Sequence, residues 1–349
     1  MLLFSVSLQD RINFARHLHL TIKTGLSLVD GLRLIEEQTS SSSFRKIIRG
    51  LIDGINNGRF LSEGLRGHSR LFGEFFISVV EIGEKSGNLS ESLLHLAEEL
   101  EKKKDLHSKV KAALIYPAII FFATVGITLF LIFFVLPKIL PILGDLQVEL
   151  PATTRFLIWL VHVVSAYGLF IAVGALFLII VINLLLRLPR VRFFFHFLAL
   201  YVPVLSKITK GVTMVDFTRS LNLLLRSGVT IVDALTISAG GLRNMYYERE
   251  VKRAIEYVRR GSQIAEYLHS RKRYFPLMVT NLIRVGEMTG NLEQNLLYLA
   301  EFYEREVDEQ VKNLTSILEP LLLLIMGLLV GFVAISIILP IYKISTPSL

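Results

Sequence analysis

Two glutamates lie in a short motif that the chain contains twice. The motif G-E-x-[ST]-G-N-L occurs within "EIGEKSGNL" at 81–89 and within "RVGEMTGNL" at 284–292. It places Glu84 and Glu287 close to two glycines, and glycine lets a backbone approach a ligand closely. One interpretation is a loop in which the carboxylate binds a partner, a sister protomer or a divalent cation. The other is a structural corner between two helices, with a solvated or hydrogen-bonded glutamate.

Two aspartates are repeated in the same way and are the other candidates for a carboxylate site. Asp30 lies five residues after Gly25 (30 − 25 = 5), and Asp233 has the same relation to Gly228. A cation needs several oxygen ligands in one place, so we regard Glu84 and Asp30 as weak metal candidates only. The alternative is that both aspartates are early-helix acids, which stabilise the helix dipole.

Other catalytic or cofactor-binding patterns are absent from the sequence. It has no cysteine, no Gly-Lys dipeptide of a Walker A phosphate loop, no H-E-x-x-H and no G-x-S-x-G. The histidines are scattered, and His17 and His19, two apart on a predicted helix, point to different faces and make a poor metal pair. We therefore predict no catalytic residues, no cofactor and no enzymatic activity.

An internal repeat accounts for both glutamate motifs. The segment "FARHLHLTIKTGLSLVDGL" begins at Phe14 and "FTRSLNLLLRSGVTIVDAL" at Phe217, an offset of 217 − 14 = 203. The same offset relates the two G-E motifs and continues without a gap to prolines far downstream, so the sequence predicts a duplicated domain. The repeated residues at the start of the copies are Phe14, Arg16, Gly25, Asp30, Phe217, Arg219, Gly228 and Asp233.

Within each copy every segment has a helical pattern, and we expect six helices packed as a small bundle. Gly87 fits the position after a helix end, whereas Gly83 lies inside that helix, which indicates close approach of another backbone. Asn88 followed by Glu91 predicts a capping box that starts the last helix. The G-E motif residues are Gly83, Glu84, Gly87, Asn88 and Leu89, and in the second copy Gly286, Glu287, Gly290, Asn291 and Leu292.

Three uncharged apolar stretches are long enough to cross a bilayer. They cover residues 118–136, 156–186 and 321–339, in a chain that is 52% hydrophobic with a mean hydropathy of +0.54. Prolines bracket the first and last stretches 20 residues apart (137 − 117 = 20), which is roughly 30 Å of helix, the thickness of the hydrocarbon core. These expected membrane-helix boundaries are Pro117, Pro137, Pro320 and Pro340.

The distribution of basic residues predicts the orientation. Five lysines at 102–111 precede the first stretch and three arginines at 187–192 follow the second, whereas 137–155 contains only Lys138 and Arg155. The positive-inside rule then places the N-terminus and both helical domains in the cytoplasm. The expected domains are a first cytoplasmic domain at 1–111, membrane helices at 112–137, 156–186 and 314–340, an external loop at 138–155, a connector at 187–212, a second cytoplasmic domain at 213–313 and an external tail at 341–349.

The doubled openings, the doubled G-E motif, the proline-bounded spans and "PVLSKITKG" before the second copy resemble one family. It is the inner-membrane platform protein of type II secretion systems and type IV pili, the F-protein family. The resemblance covers nearly the whole chain. It implies an all-α membrane protein with two cytoplasmic six-helix bundles, three transmembrane helices and a scaffold role in the bacterial inner membrane. The implied partners are a cytoplasmic hexameric ATPase, pilin or pseudopilin subunits, other inner-membrane assembly components and further copies of the chain.

One departure from the family concerns the N-terminus. The first copy begins almost at Met1, whereas family members usually have an additional cytoplasmic stretch there. Partner contacts of that stretch are therefore not carried over.

The main alternative is a membrane transporter or channel with parallel repeats. Such proteins usually place ionisable residues within their spans, and the three stretches contain no Asp, Glu, Lys or Arg. The net charge of +8 is typical of the cytoplasmic excess of Lys and Arg, and we expect no nucleic-acid partner. The basic runs "EKKKD" at 101–105 and "HSRKRYF" at 269–275 are interpreted as solvated or membrane-proximal charge, with docking to an acidic partner or to anionic lipid as the alternative.

Overall fold

A computed structural model describes residues 6–131, 134, 151–185, 188–198 and 200–345 of the chain. Within these ranges every regular element is a helix, and there is no strand. The prediction of an all-α protein is therefore confirmed for the described residues. Pro137 and most of the predicted external loop lie outside them.

The first copy has seven helices among the described residues, one more than the six expected. Its helices are α1 (Leu8–Lys23), α2 (Leu28–Gln38), α3 (Ser42–Asn56), α4 (Leu61–Arg66), α5 (Ser69–Phe72), α6 (Glu74–Ser86) and α7 (Leu89–Phe130). The additional turn is α5, which ends at Gly73 with φ 84°. This is a left-handed backbone that glycine adopts without steric cost.

The connector and the second copy follow in the same order. Their helices are α8 (Ala152–Leu185), α9 (Pro189–Leu198), α10 (Pro203–Arg226), α11 (Ile231–Gly240), α12 (Met245–Arg259), α13 (Ile264–Ser270), α14 (Leu277–Thr289) and α15 (Leu292–Ser345). Helix α10 corresponds to α1 but begins earlier, because Leu8 maps to Gly211 (211 − 8 = 203) and α10 starts at Pro203. The second copy thus repeats the helical order of the first, except that α5 has no counterpart in it.

The chain divides into two compact units. The first unit consists of residues 1–109 and 196–310, and it contains both helical domains. In its first copy, the fully buried Phe14 ring packs against Phe44, Phe72 and Phe76, with ring centroids 5.7–6.2 Å apart. These rings come from four different helices, so they hold the domain together.

The second copy has an equivalent aromatic core. Tyr247 stands where the first copy has Phe44 (247 − 44 = 203), and its ring packs edge-on against Phe275 at 5.6 Å. The buried hydroxyl donates a hydrogen bond of 2.9 Å to the carbonyl oxygen of Tyr274. Burial raises the pKa of Tyr247, because the phenolate would lose its hydration. A buried tyrosine is tolerated because its one polar group is paired.

The second unit consists of residues 110–195 and 311–349. In it, α8 packs on α15 through a small cluster of Leu157, Val161 and Val333. The Thr154 hydroxyl donates a buried 2.8 Å hydrogen bond to the backbone oxygen of Ser336. A polar contact of this kind satisfies a hydroxyl that would otherwise be unpaired in an apolar environment.

Two described helices are long and apolar enough to cross a membrane, α7 and α15. Helix α8 is a further apolar helix of 34 residues, and its role as a span stays a prediction. Pro117 lies inside α7, while Pro320 and Pro340 lie inside α15. The helices continue through these prolines, because an interior proline removes only one backbone hydrogen bond that a long helix can spare. Their expected position at the membrane boundaries stays a prediction.

Candidate functional site

Glu84 and Glu287 have the same structural role in the two copies. The Glu84 carboxylate accepts hydrogen bonds from the backbone N–H groups of Leu61 (2.6 Å) and Ser62 (2.8 Å). Glu287 does the same for Ile264 (2.7 Å) and Ala265 (2.9 Å). These donors are the first N–H groups of α4 and α13, two short helices that have no capping side chain of their own. Each glutamate is therefore a helix cap supplied by a distant helix.

The repeated glycines allow the corner to close. A Cβ atom on Gly83 would lie 3.0 Å from the Leu89 Cα, and one on Gly286 would lie 2.7 Å from the Leu292 Cα. The close backbone approach expected from a glycine inside a helix is thus present. Gly87 and Gly290 adopt left-handed conformations with φ 75° and 74°, as predicted for residues that end a helix.

The asparagines lie at the start of the long helices α7 and α15, which begin at Leu89 and Leu292. The Asn88 carbonyl accepts a hydrogen bond from Ser92 N–H at 3.0 Å, and the Asn291 carbonyl accepts one from Asn295 at 3.2 Å. The side-chain half of the predicted capping box is not formed among the described residues. Glu91 instead contacts His95 at 3.5 Å, one turn further along the same helix.

Asp30 and Asp233 are early-helix acids. Asp30 accepts a 2.6 Å hydrogen bond from the Ser27 hydroxyl, while its own N–H donates to that hydroxyl at 3.1 Å. Asp233 makes the same pair of bonds with Thr230, at 2.8 and 3.3 Å. The described residues contain no group of three or more His, Asp or Glu that could hold a metal ion. The Glu84 carboxylate thus caps a distant helix, and the Asp30 carboxylate accepts a hydrogen bond from the hydroxyl that caps its own helix.

The remaining repeated residues have structural positions in both copies. Phe14 and Phe217 are fully buried, and Gly25 and Gly228 end their helices with φ 85° and 87°. The two arginines differ between the copies. Arg16 pairs with Glu101 and leaves 39% of its side chain exposed, whereas Arg219 is only 6% exposed.

Arg219 lies at the contact between the two copies. Its guanidinium is 2.6 Å from Glu304 of the same copy and 3.1 Å from Glu99 of the first copy. The Glu304 pair repeats the Arg16–Glu101 pair (304 − 101 = 203), while the Glu99 pair is an addition. Burial raises the pKa of Glu99, against the opposing effect of the Arg219 charge. This arginine therefore joins helices of both copies through buried charge.

A second buried charge lies one turn away on α10. Asp216 is 3.5 Å from the Lys103 ammonium and 3.6 Å from Nε2 of His107, both on α7. Burial acts to raise the pKa of Asp216, but the His107 contact and the charges of Lys103 and Arg243 outweigh it, and the pKa is lowered. Helix α7 thus presents Glu99, Lys103 and His107 at intervals of four residues, on one face.

These charges line a cavity of about 400 Å³ between the two copies. Arg11 and Arg243 add positive charge at its wall, and Glu74 adds negative charge. The helices α6 of the first copy and α11 of the second also contact each other here. This contact between the copies therefore rests on buried charge pairs around a cavity as well as on helix packing. We regard this interface as the candidate functional site.

The sequence interpretation missed most of this site. The run "EKKKD" is interpreted from the sequence as solvated or membrane-proximal charge, with docking to an acidic partner or to anionic lipid as the alternative, and Lys103 faces the buried Asp216 of the same chain. The available signal was the pattern of differences between the copies. At the position of Asp216 the first copy has Asn13. At the positions of Glu99 and Lys103 the second copy has Phe302 and Glu306. A charge that only one copy has is unnecessary for the domain itself.

The fold and the site define a class of protein: a duplicated helical domain whose final helices continue into apolar segments long enough to cross a membrane. Comparison with known families places the chain within this class. The family model for type II secretion system (T2SS) protein F matches residues 14–137 and 217–340. These are the limits of the internal repeat, since both ends are offset by 203 (340 − 137 = 203). The chain belongs to this family.

Curated relatives match over almost the whole chain. The type IV pilus assembly protein PilC of Thermus thermophilus is 36% identical, over 97% of this chain and 83% of the relative. The PilC protein of Myxococcus xanthus is 33% identical, over 97% and 81%. The type II secretion system protein F of Vibrio cholerae is 30% identical, over 97% and 84%. The recognition of a secretion and pilus assembly family from the doubled motifs is confirmed.

Proposed function

We propose that this chain is the polytopic platform protein of a type II secretion or type IV pilus machine. In this role it couples a cytoplasmic hexameric ATPase to the assembly of pilin or pseudopilin subunits. The observation that carries the proposal is the continuity of α7 and α15, which run unbroken for 42 and 54 residues. Each of them begins in a helical domain and ends in an apolar segment.

The length of these helices makes mechanical coupling reasonable. At about 1.5 Å per residue, 42 residues correspond to roughly 63 Å, far more than a bilayer core. A continuous helix can transmit rotation and translation because backbone hydrogen bonds link each turn to the next. Movement of a helical domain would therefore reach the apolar segment without a flexible joint.

The proposed topology places both helical domains on the cytoplasmic side of the bacterial inner membrane. It has three membrane helices, two six-helix bundles and an external loop at 138–155. The lysines before the first apolar stretch and the arginines after the second support it. Tryptic digestion of sealed inverted vesicles should cleave the helical domains, and protection of both domains would contradict this orientation.

The partners are tested by co-purification. The solubilised full-length chain should retain the machine's ATPase and its major pilin or pseudopilin, and the purified chain should not itself hydrolyse ATP. Deletion of the gene should abolish piliation or secretion. Normal assembly in the deletion strain would refute the platform role, and the identity of the retained pilin would separate a secretion system from a pilus system.

A helix-break experiment tests the coupling step. A flexible Gly-Ser insertion after Lys104 in α7 or after Glu306 in α15 should stop assembly, while the chain still inserts in the membrane and binds the ATPase. The control is the same insertion at Ser40, in the loop between α2 and α3, which should leave assembly intact. Normal assembly with either helix broken would count against transmission through that helix.

The transporter alternative predicts substrate flux through the purified chain in liposomes. Flux that is lost when α8 is altered would support it. The absence of ionised side chains from all three apolar stretches favours the platform instead.

A further inference from the structure

A stripe on helix α10 is buried, and its two charged residues face the other copy. Asp216, Arg219 and Leu223 occupy positions i, i+3 and i+7, which share one helical face, and Leu223 is only 4% exposed. The residues that contact the first two are Lys103, His107 and Glu99 of α7. The second copy thus uses this face of its first helix to receive the last helix of the first copy.

The same stripe on α1 of the first copy is open. Its residues are Asn13, Arg16 and Leu20, each 203 positions before its counterpart, and Leu20 is 51% exposed. Next to it, the exposed Leu34 on α2 and Leu20 line a shallow cavity of about 200 Å³. The counterpart of Leu34 is Ile237, which lines the cavity between the copies. We name the α1 stripe together with Leu34 the acceptor face.

The counterpart of the inserted face is on α15. Its residues are Tyr298, Phe302 and Glu306, which correspond to His95, Glu99 and Lys103 (306 − 103 = 203). Tyr298 is 49% exposed. On α15, Glu304 faces Arg219 at the interface between the copies. Phe302 and Glu306 are each two residues from Glu304, which is a rotation of about 200° around the helix axis. Their side chains therefore point away from that interface. We name Tyr298, Phe302 and Glu306 the donor face.

The chemistry of the two faces is complementary. The Tyr298 ring matches the apolar Leu20, and the Phe302 ring matches the Arg16 guanidinium, a cation–π pair. The Glu306 carboxylate matches the Asn13 amide. We propose that a second copy of this chain docks its donor face on the acceptor face of the first, repeating between chains the contact that the two domains make within a chain.

This contact is heterologous, because each chain uses two different faces. Heterologous contacts form a ring if the rotation closes and an open chain if it does not. Copies inserted in one membrane with the same orientation are related by rotation about the membrane normal, which favours a closed ring. The ring step rests on the membrane topology proposed above; the pairing of faces needs neither the ATPase nor pilin.

Disulfide trapping tests the pairing directly, because the chain has no cysteine of its own. Chains with Leu20→Cys and chains with Tyr298→Cys carry different tags and are co-expressed. Oxidised membranes should contain a crosslinked dimer with both tags, and each variant alone should give little dimer. The double variant should give a ladder of multimers. The control pair, Lys46→Cys with Glu256→Cys, has exposed positions on α3 and α12 and should not crosslink.

A charge-exchange experiment adds an independent measurement. Leu20→Arg and Tyr298→Glu should each reduce the oligomer seen by native mass spectrometry, and mixing the two variants should restore it. Both positions are exposed, so circular dichroism should show an unchanged fold. Dominant Leu20–Leu20 or Tyr298–Tyr298 crosslinks, no mixed dimer, or a monomeric wild-type chain would overturn the proposal. Failure of the ATPase to co-purify would refute the platform role even if the mixed crosslink forms. Absence of the mixed crosslink would refute this pairing even if the ATPase co-purifies.

Discussion

The twin arginines give the sharpest test of the interface between the copies. Arg16 and Arg219 occupy the same position of the repeat, but Arg16 is partly exposed and makes one ion pair, while Arg219 is buried between two carboxylates. Removing one partner of a buried pair costs about 3–5 kcal/mol, because the remaining charge is left buried and unpaired. An exposed pair contributes about 0–1 kcal/mol. Arg219→Ala should therefore destabilise the interface by at least about 2 kcal/mol more than Arg16→Ala.

Hydrogen exchange of the full-length chain in detergent measures this difference locally. Amides of α10 and of the 94–107 segment of α7 should exchange faster in Arg219→Ala. Since 1.4 kcal/mol is a tenfold change, the expected acceleration is on the order of 100-fold or more. In Arg16→Ala, α1 should exchange less than about tenfold faster. Equal acceleration in the two variants would refute the assignment of Arg219 as a buried connection.

The pH dependence supplies a second check with a definite sign. Burial raises the pKa of Glu99 in the folded chain. Ionised Glu99 therefore lowers the stability of the fold, and this loss of stability is fully present above the folded pKa. That loss disappears as the pH falls towards the unfolded value of 4.5. Loss of the Arg219 charge raises this pKa further. The defect of Arg219→Ala should therefore shrink as the pH is lowered from 7 towards 5, and adding Glu99→Gln should rescue part of it at pH 7. A defect that does not depend on pH would contradict the buried carboxylate as its cause.

Three further predictions concern single residues. Glu84→Ala leaves two N–H groups of α4 without acceptors and should destabilise the first copy by about 2–4 kcal/mol. Glu84→Gln should destabilise it less. In Glu84→Ala, faster amide hydrogen exchange should be confined to residues 58–66. Gly286→Ala places a Cβ atom 2.7 Å from the Leu292 Cα. It should lower thermal stability, although alanine favours a helix over glycine by roughly 1 kcal/mol. In the control Gly50→Ala the added Cβ has no atom within 4 Å, so thermal stability should rise. The lowered pKa of Asp216 stabilises the fold above the unfolded value of 3.8, and that stability should be lost as the pH falls below this value and through the lower folded pKa. Asp216→Asn should remove this acid-dependent step, and an unchanged acid transition would contradict the role.

Much of the fold could be predicted because the determining interactions are local. The positions of α1 to α4 and α6 follow from apolar spacing and from glycines at helix ends, and the repeat confirms each of them in the second copy. The one-turn helix α5 was missed, since four residues are too few to show a period. The continuous last helix of each copy was expected from the sequence, and α7 and α15 do run on through Pro117, Pro320 and Pro340, because a long helix tolerates the one bond that a proline removes. That these prolines lie at the membrane boundaries stays a prediction.

The candidate sites divide in the same way. Asp30 could be recognised as an early-helix acid because its partner Ser27 is three residues away. The partner of Glu84 could not be identified, since Leu61 lies 23 residues earlier (84 − 61 = 23). The partner of His19 could not be identified for the same reason, since its Nδ1 lies 2.7 Å from the backbone carbonyl oxygen of Ser90, far along the chain. In the second copy the counterpart of His19 is Asn222, whose amide donates to the backbone carbonyl oxygen of Glu293 at 2.7 Å. Two different side chains therefore make the same contact in the two copies.

The sequence by itself determined the duplication, the helical order, the apolar segments and the family, because periodicity, spacing and motif repetition are properties of one dimension. Only the tertiary structure decided that the repeated glutamates cap distant helices, and that Glu99, Lys103 and His107 meet Asp216 and Arg219 of the other copy. The repeat relates each residue to its twin, but contact across an interface depends on how two domains dock. Docking is decided by desolvation and charge pairing between surfaces that are far apart along the chain.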